Sequence, residues 1–256
     1  MSIILKCLTV GYLPTNCYIV VCKKTLEAII VDPGINEGEE GRIIDVIRGS
    51  RFSARYIVNT HGHPDHTAGN RVLKANTRAD ILIHHDDAPL LTDPWLGAEE
   101  SPAFKVPHRC PICGKEEMVR LEIDGTKART VSGCGVIVLE AEISPPADRT
   151  LGEGDKIRFG QTGLEVIHTP GHTRGGVSLY SADERFVFTG DTLFADSCGR
   201  TDLAGGSEEN MIRSLRKLMR LPAETVVYPG HRSSTTIERA RAINPCVKLL
   251  QYNEGM

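Results

Sequence analysis

Residues 60–66 read Thr60-His61-Gly62-His63-Pro64-Asp65-His66, three imidazoles and one carboxylate within a few positions. Imidazole suits zinc, iron and related ions, and a carboxylate adds negative charge and a harder oxygen donor. Four such groups turned into one small space without a cation would desolvate and repel one another. A solvated His-rich loop is the bland alternative, and the cluster alone leaves it open. The positions of the remaining donors decide between the two.

The loop follows Arg55-Tyr56-Ile57-Val58-Asn59, a β-branched and apolar run that predicts a buried strand. It precedes His66 to Ala75, whose composition is helical, so the cluster sits on a strand-to-helix turn. Leu164–His168 predicts another strand, running into Thr169-Pro170-Gly171-His172-Thr173. Arg185–Thr189 runs into Gly190-Asp191-Thr192, and Glu224–Tyr228 into Pro229-Gly230-His231. Each strand ends in a glycine turn, and one metal-competent side chain follows. In α/β sheets ligands bind beyond the carboxyl ends of the strands, where all four loops can meet. His61, His63, Asp65, His66, His172, Asp191 and His231 would then supply seven donors, enough for two adjacent ions.

With these residues in place the chain resembles the metallo-β-lactamase-fold hydrolases. The HxHxDH motif stands here as His61-Gly62-His63-Pro64-Asp65-His66, with His172, Asp191 and His231 following in order. Further stretches resemble the glyoxalase II-like branch: Asn16-Cys17-Tyr18, Val31-Asp32-Pro33-Gly34, Thr169–Thr173, Gly199-Arg200-Thr201-Asp202 with Gly205-Gly206-Ser207, and Thr235-Thr236-Ile237 with Asn244-Pro245. The match covers about residues 1–95 and 148–250. It implies an α/β fold, an αββα four-layer sandwich with the metals at one sheet edge. It also implies a first metal site of His61, His63 and His172, a second of Asp65, His66 and His231, and Asp191 as the bridging carboxylate. Two zinc ions are the expected cofactors, with iron or manganese as alternatives, and Asp65 and Asp191 are the expected catalytic carboxylates.

A central segment stands outside the resemblance. The reading is one domain over 1–256 with an insert at 97–147, which carries His108-Arg109-Cys110-Pro111-Ile112-Cys113-Gly114 and, later, Ser132-Gly133-Cys134-Gly135. A Cys-x-x-Cys knuckle closed by Gly is half of a zinc-ribbon signature. The matching half offers only Cys134, because Ile137 stands where a fourth cysteine would fall. One reading is a structural zinc on His108, Cys110, Cys113 and Cys134. The others are a degenerate ribbon with free thiols, or a redox-active Cys110/Cys113 pair.

Composition narrows the function classes. A net charge of -3 and the absence of a Lys/Arg run argue against nucleic acid, and no apolar stretch reaches membrane-spanning length. Ile3–Val10 is too short and strand-like for a signal peptide, and eight cysteines without secretory features point to a reducing cytoplasm. The expected partner is a small-molecule substrate, with the oligomeric state left open. Further strands are predicted near 3–10, 17–22 and 27–31, a helix near 39–49, and an amphipathic helix from Ser207 to Arg220 with Ser207 as N-cap and Pro222 beyond its end.

The remaining candidates read as structural. His84 and His85 are expected in a polar surface or loop setting, and His168 as a satisfied core or supporting imidazole. Cys198 is a thiol of the loop after Asp191, either supporting, redox-sensitive or simply buried. Arg200 and Asp202 are expected to pair, and Gly175-Gly176 to allow tight packing. Lys105, Arg109, Lys115 and Lys127 are conjectured substrate contacts from the insert.

Function follows from the donor set and the resemblance. Two cations sharing one water can lower its pKa and deliver hydroxide to a carbonyl without a protein nucleophile. A thiolate leaving group departs without a strong general acid. The leading reading is therefore a binuclear thioesterase similar to hydroxyacylglutathione hydrolase. Longer glyoxalase II enzymes carry a C-terminal helical domain that grips glutathione; none is expected after Asn244-Pro245, so glutathione specificity stays open. The rivals are a persulfide dioxygenase with one iron on His61, His172 and Asp191, resembled by Ser197–Asp202, and a non-catalytic metal-binding scaffold.

Overall fold

The segment Thr15–Cys22 (β2) is buried at every position, and its side chains divide between two cores. Successive residues of a strand point to opposite faces of the sheet, so Tyr18, Val20 and Cys22 enter one core while Cys17, Ile19 and Val21 enter the other. The neighbouring strands repeat the division. Ile29 and Val31 of β3 (Glu27–Val31), Tyr56 and Val58 of β4 (Ser53–Val58) and Leu82 of β5 (Asp80–His84) join the first core. Ala28, Ile30, Ile57, Ile81 and Ile83 join the second.

The structure, a computed structural model, describes residues 2–98, 108–110, 113–118, 120–132, 134–135 and 137–252. Together with β1 (Ile3–Val10) and β11 (Arg149–Leu151), the strands above form a six-stranded sheet in the order β1-β2-β3-β4-β5-β11. A second six-stranded sheet runs β12-β13-β14-β15-β16-β17, built from Lys156–Phe159, Thr162–His168, Val177–Ser181, Phe186–Gly190, Val226–Pro229 and Thr235–Thr236. Its Ile157, Phe159, Leu164, Val166, Val177, Leu179, Phe186 and Phe188 meet the first core, so that core lies between the sheets. Outside the first sheet pack α1 (Glu40–Gly49), through Ile43, Ile44 and Ile47, and α3 (Asn70–Thr77), through Leu73. Outside the second pack α4 (Glu208–Leu218), α5 (Ile237–Ile243) and α6 (Pro245–Tyr252), through Met211, Leu215, Leu218, Ile237, Ala240, Val247 and Leu250. The expected αββα sandwich is the fold, because each sheet has two apolar faces and needs a layer on both.

Local sequence sets the helix ends. Ser207 caps α4 as expected, its hydroxyl accepting from Asn210 N–H at 3.3 Å. The single helix expected over 66–75 is instead two, α2 (Pro64–Thr67) and α3, parted at Gly69. Gly69 N–H donates to Pro33 O at 2.8 Å, and a β-carbon at this position would lie 2.2 Å from the same oxygen. That close approach draws the chain out of one continuous helix and lays α2 against the Val31–Gly34 turn.

Between β5 and β11 lie a two-stranded ladder, β6 (His108–Arg109) with β7 (Glu116–Glu117), and a three-stranded antiparallel sheet of β8 (Arg120–Asp124), β9 (Lys127–Val131) and β10 (Ile137–Glu142). This small sheet leans on the sandwich beside α2, and Arg71 ties it down by donating to Ile143 O at 2.9 and 3.1 Å. Among the described residues no helix is long and apolar enough to cross a membrane.

Candidate metal centre

Four loops at the strand ends bring the seven expected donors together. The turn from β4 into α2 carries His61, His63, Asp65 and His66; the turn after β13 carries His172, the end of β15 leads to Asp191, and that of β16 to His231. Three overlapping groups have donor atoms within 4.8 Å of one another: His61, His63 and His172; His61, His66 and Asp191; and Asp65, His66 and His231. His66 Nε2 lies 3.5 Å from both Asp65 Oδ2 and Asp191 Oδ1, and His231 Nε2 lies 3.2 Å from Asp65 Oδ2 and 3.5 Å from Asp191 Oδ2. His172 Nε2 is 3.7 Å from Asp191 Oδ2. Asp191 thus stands between the two expected halves.

The outer nitrogens explain why the inner ones face one another. His172 Nδ1–H donates to Arg200 O at 2.8 Å, and His231 Nδ1–H to Pro14 O at 3.0 Å. Thr60 Oγ1 donates to Asp32 Oδ2 at 2.7 Å, so it accepts from His61 Nδ1–H at 3.2 Å. His66 Nδ1 lies 3.0 Å from Asp32 Oδ2, within ion-contact distance. Spending Nδ1–H on an outer oxygen leaves the Nε2 lone pair for the interior, the arrangement of metal-ligating histidines.

The interior is left unbalanced by protein groups alone. His61 Nε2 and Asp191 Oδ1 are buried with no hydrogen-bond partner, and His66 Nε2 and His231 Nε2 stand 3.2 Å apart. Burial, with the neighbouring imidazoles, pushes His61 well below the usual histidine range, and burial with His172 takes His63 to about 3. Burial also opposes charge on His66, but Asp65, Asp32 and Asp191 outweigh it and raise this imidazole to about 9. His231 is raised to about 11, burial again losing to Asp191 and Asp65. Asp65 and Asp191 sit below the usual carboxylate range, against their burial, because His66 and the other imidazoles face them. Without metal, then, protons must compensate two carboxylates whose imidazole partners also suit divalent cations. The donor set fits a pair of such ions.

Glycines let the loops close on this point. A β-carbon at Gly230 would lie 2.3 Å from Asp191 Oδ1 and 2.7 Å from His66 Cε1. At Gly199 it would lie 1.8 Å from Asp191 O.

Two supporting carboxylates carry roles that the sequence did not reveal. Asp32, buried in the turn after β3, accepts from Thr60 N–H at 2.7 Å as well as from the Thr60 hydroxyl. Asp87, 1% exposed, accepts from Gly62 N–H at 3.0 Å, Thr173 Oγ1 at 2.7 Å and Gly175 N–H at 2.6 Å, tying the first histidine loop to the His172 loop. Burial lifts its carboxyl above the usual range despite these three donors. Its signal was present, since Asp87 follows the end of β5 as the other donors follow their strands.

Elsewhere some expectations change. His84 is not on the surface: it is 2% exposed, its ring stacked at 4.1 Å on His168 and on the more exposed His85. His168 is satisfied as expected, Nε2–H donating to Arg174 O at 2.9 Å. Lys127 is spent, with carboxylate oxygens of Glu37, Glu140 and Glu142 at 2.9, 3.3 and 3.5 Å, which removes it as a substrate cation. Arg109 donates to Gly114 O at 3.2 Å, Lys115 is exposed, and Lys105 lies outside the described residues. Arg200 and Asp202 pair through two contacts of 2.6 Å, and Gly175 packs against Asp87 as its expected tight contact. Burial and Cys246 push the Cys198 thiol up to about 12, which keeps it protonated at neutral pH. Cys110, Cys113 and Cys134 are brought together, while the His108 side chain lies outside the described residues.

Beside the donors opens a cavity of about 700 Å³ lined by His172, Asp191 and His231 and by Leu13, Pro14 and Phe194. Arg200 and Arg232 stand at its wall, Arg232 held by Asp196 at 3.0 Å.

Known proteins resemble the chain in sequence and in fold. The sequence pattern of the metallo-beta-lactamase superfamily matches residues 10–231. An uncharacterized protein of Mycobacterium tuberculosis is 34% identical over 92% of this chain and 93% of its own length. A hydroxyacylglutathione hydrolase of Rhodospirillum rubrum is 32% identical over 89% of this chain, which spans 66% of that enzyme. Among solved structures, BLEG-1 B3 metallo-beta-lactamase superposes with a TM-score of 0.73 at 26% identity, covering 95% of this chain and 99% of that one. TTHA1623, solved in a di-iron-bound form, superposes with a TM-score of 0.70 at 28% identity, covering 94% and 98%.

Proposed function

The chain belongs to the metallo-β-lactamase superfamily, and from that premise we propose that it is a binuclear metal-dependent hydrolase that cleaves acyl thioesters such as hydroxyacylglutathione. The observation that carries the reading is the convergence of seven donors with His61 Nε2 and Asp191 Oδ1 buried and unpartnered. The Rhodospirillum rubrum relative supports the substrate class, and the di-iron neighbour supports double occupancy. His61, His63 and His172 would hold one cation, Asp65, His66 and His231 the other, with Asp191 between them. When bound, such a pair supplies Lewis acidity and lowers the pKa of water to near neutrality.

The chain's own groups do the rest. Arg200 O, Pro14 O, Thr60 and Asp32 orient four imidazoles, so no reorganisation is needed when charge develops. Asp65 and Asp191 offset the positive charge of the site. Leu13, Pro14 and Phe194 give the cavity an apolar wall for an acyl chain, while Arg200 and Arg232 at its wall are paired with Asp202 and Asp196. Hydrolysis adds one water across the acyl C–S bond: the acyl carbon gains oxygen and the sulfur leaves with the electron pair. A thiol with an ordinary pKa of about 8.5 leaves without a strong general acid, which suits a cavity whose described imidazoles all belong to the donor set.

The test is a metal-quantified screen of one preparation against lactoylglutathione, other acyl thioesters and glutathione persulfide. Thioester cleavage that disappears in Asp191→Ala is the expected result. Oxygen uptake with the persulfide by protein holding one iron would overturn it, and thioester cleavage undiminished by Asp191→Ala would leave only a scaffold role for the cluster.

A further inference from the structure

Three cysteine sulfurs meet on the inserted strands, on elements that contribute nothing to the seven-donor cluster. Cys110 and Cys113 lie in the turn between β6 and β7. There Cys110 N–H donates to Lys115 O at 2.7 Å and Gly114 N–H to Cys110 O at 3.0 Å, closing a tight knuckle. Gly114 has φ +72°, a left-handed backbone that any β-carbon would strain. Cys134 lies in the turn between β9 and β10 and is likewise followed by a left-handed glycine, Gly135 at φ +83°, whose N–H donates to Ser132 O at 2.8 Å. The two turns face each other.

Their geometry is that of a metal site rather than a disulfide. Cys134 Sγ lies 3.5 Å from both Cys110 Sγ and Cys113 Sγ, and all three sulfurs fall within 4.8 Å of one another. A disulfide requires about 2.05 Å. Zinc–thiolate bonds of about 2.3 Å in a tetrahedron place sulfur pairs about 3.8 Å apart, close to what is seen. Cys113 N–H also points at Cys110 Sγ, 3.5 Å away. Three thiolates so close need a cation to be stable together.

We infer that Cys110, Cys113 and Cys134 form a zinc site that pins the β6–β7 turn to the β9–β10 turn. The site is separate from the hydrolytic cations and stands whether or not the proposed reaction is correct. What it fixes is a wall beside the active-site loop. Lys127, Glu140 and Glu142 on β9 and β10 face Gly34–Glu37, Pro64 and Asp65 across a cleft of about 260 Å³.

Cobalt(II) titration of the reduced full-length protein tests this. Wild type should develop a near-ultraviolet sulfur-to-cobalt charge-transfer absorption that saturates at one equivalent per chain and is displaced by zinc. Cys113→Ser and Cys134→Ser, at two exposed cysteines, should each abolish it, and Asp191→Ala should keep it. A second measurement needs no variant: zinc should shield three thiols of wild type from alkylation, and a chelator should expose them. Absence of the charge-transfer band in reduced wild type, or thiol reactivity indifferent to zinc, would overturn the assignment.

Discussion

Replacing Asp87 with alanine tests whether the metal loops are held by one buried carboxylate. The side chain is 1% exposed and accepts hydrogen bonds from Gly62 N–H, Thr173 Oγ1 and Gly175 N–H. Hydrogen bonds to a charged group contribute about 1.5–3 kcal/mol each, and each orphaned buried donor costs about 1–3 kcal/mol. Those figures overlap and do not add. A loss of about 3–5 kcal/mol is expected for Asp87→Ala, and less for Asp87→Asn, whose carbonyl still accepts. For a chain of this size that lowers Tm by roughly 10 °C. The same loops carry His61 and His172, so a catalytic readout must move with the thermal one. The assay is paired: Tm of the metal-loaded protein by calorimetry, and kcat/KM on a thioester at a temperature where the variant is folded. A fall in kcat/KM of at least about tenfold is expected, since misplacement by about 1 Å can cost a hundredfold. If Asp87→Ala changes neither Tm nor kcat/KM, the tether is irrelevant and the reasoning fails.

Other perturbations follow from the same geometry. Gly230→Ala drives a methyl into Asp191 Oδ1 and His66 Cε1; metal content and kcat should both drop, with an unchanged far-ultraviolet circular dichroism spectrum. Asn244, fully buried, donates to Phe194 O and Ser197 O at 2.9 Å and accepts from Cys246 N–H. Asn244→Ala should cost about 2–4 kcal/mol in denaturant unfolding. Glu39 accepts from Gly11 N–H at 2.8 Å, Asn36 N–H at 2.9 Å and Arg42 at 2.7 Å; although burial opposes its charge, these donors hold its carboxyl below the usual range. A depressed folded-state pKa contributes stability above the ordinary carboxylate value and loses it as pH falls through the folded one. Glu39→Gln should therefore be less stable than wild type at neutral pH, by about 1 kcal/mol. The gap should close on acidification below about pH 4.5, and a gap that widens in acid would contradict the assignment.

The parts of the fold legible in the sequence were those written in short-range pattern. His61 to His66, and the strand-glycine-donor order at His172, Asp191 and His231, could be read without knowing which strands pair. The strands near 17–22 and 27–31 were legible as short apolar runs, but the division of their side chains between two cores was not. What stayed hidden depended on distant partners. His84 is buried because β5 ends against His168, far along the chain. Asp87 drew no reading of its own from the sequence, because its partners Thr173 and Gly175 lie 86 and 88 residues away. Lys127 read as a free cation until Glu37, 90 residues distant, was found beside it. The break at Gly69 likewise belongs to Pro33 O rather than to local propensity.

The central claim is that two cations sit side by side among His61, His63, Asp65, His66, His172, Asp191 and His231. X-ray absorption spectroscopy of the metal-loaded protein, paired with elemental analysis, measures this directly. Metal–metal scattering at about 3.5–4 Å that vanishes in Asp191→Ala is the predicted result. A lone ion with only light-atom neighbours, in fully loaded protein, would contradict the account.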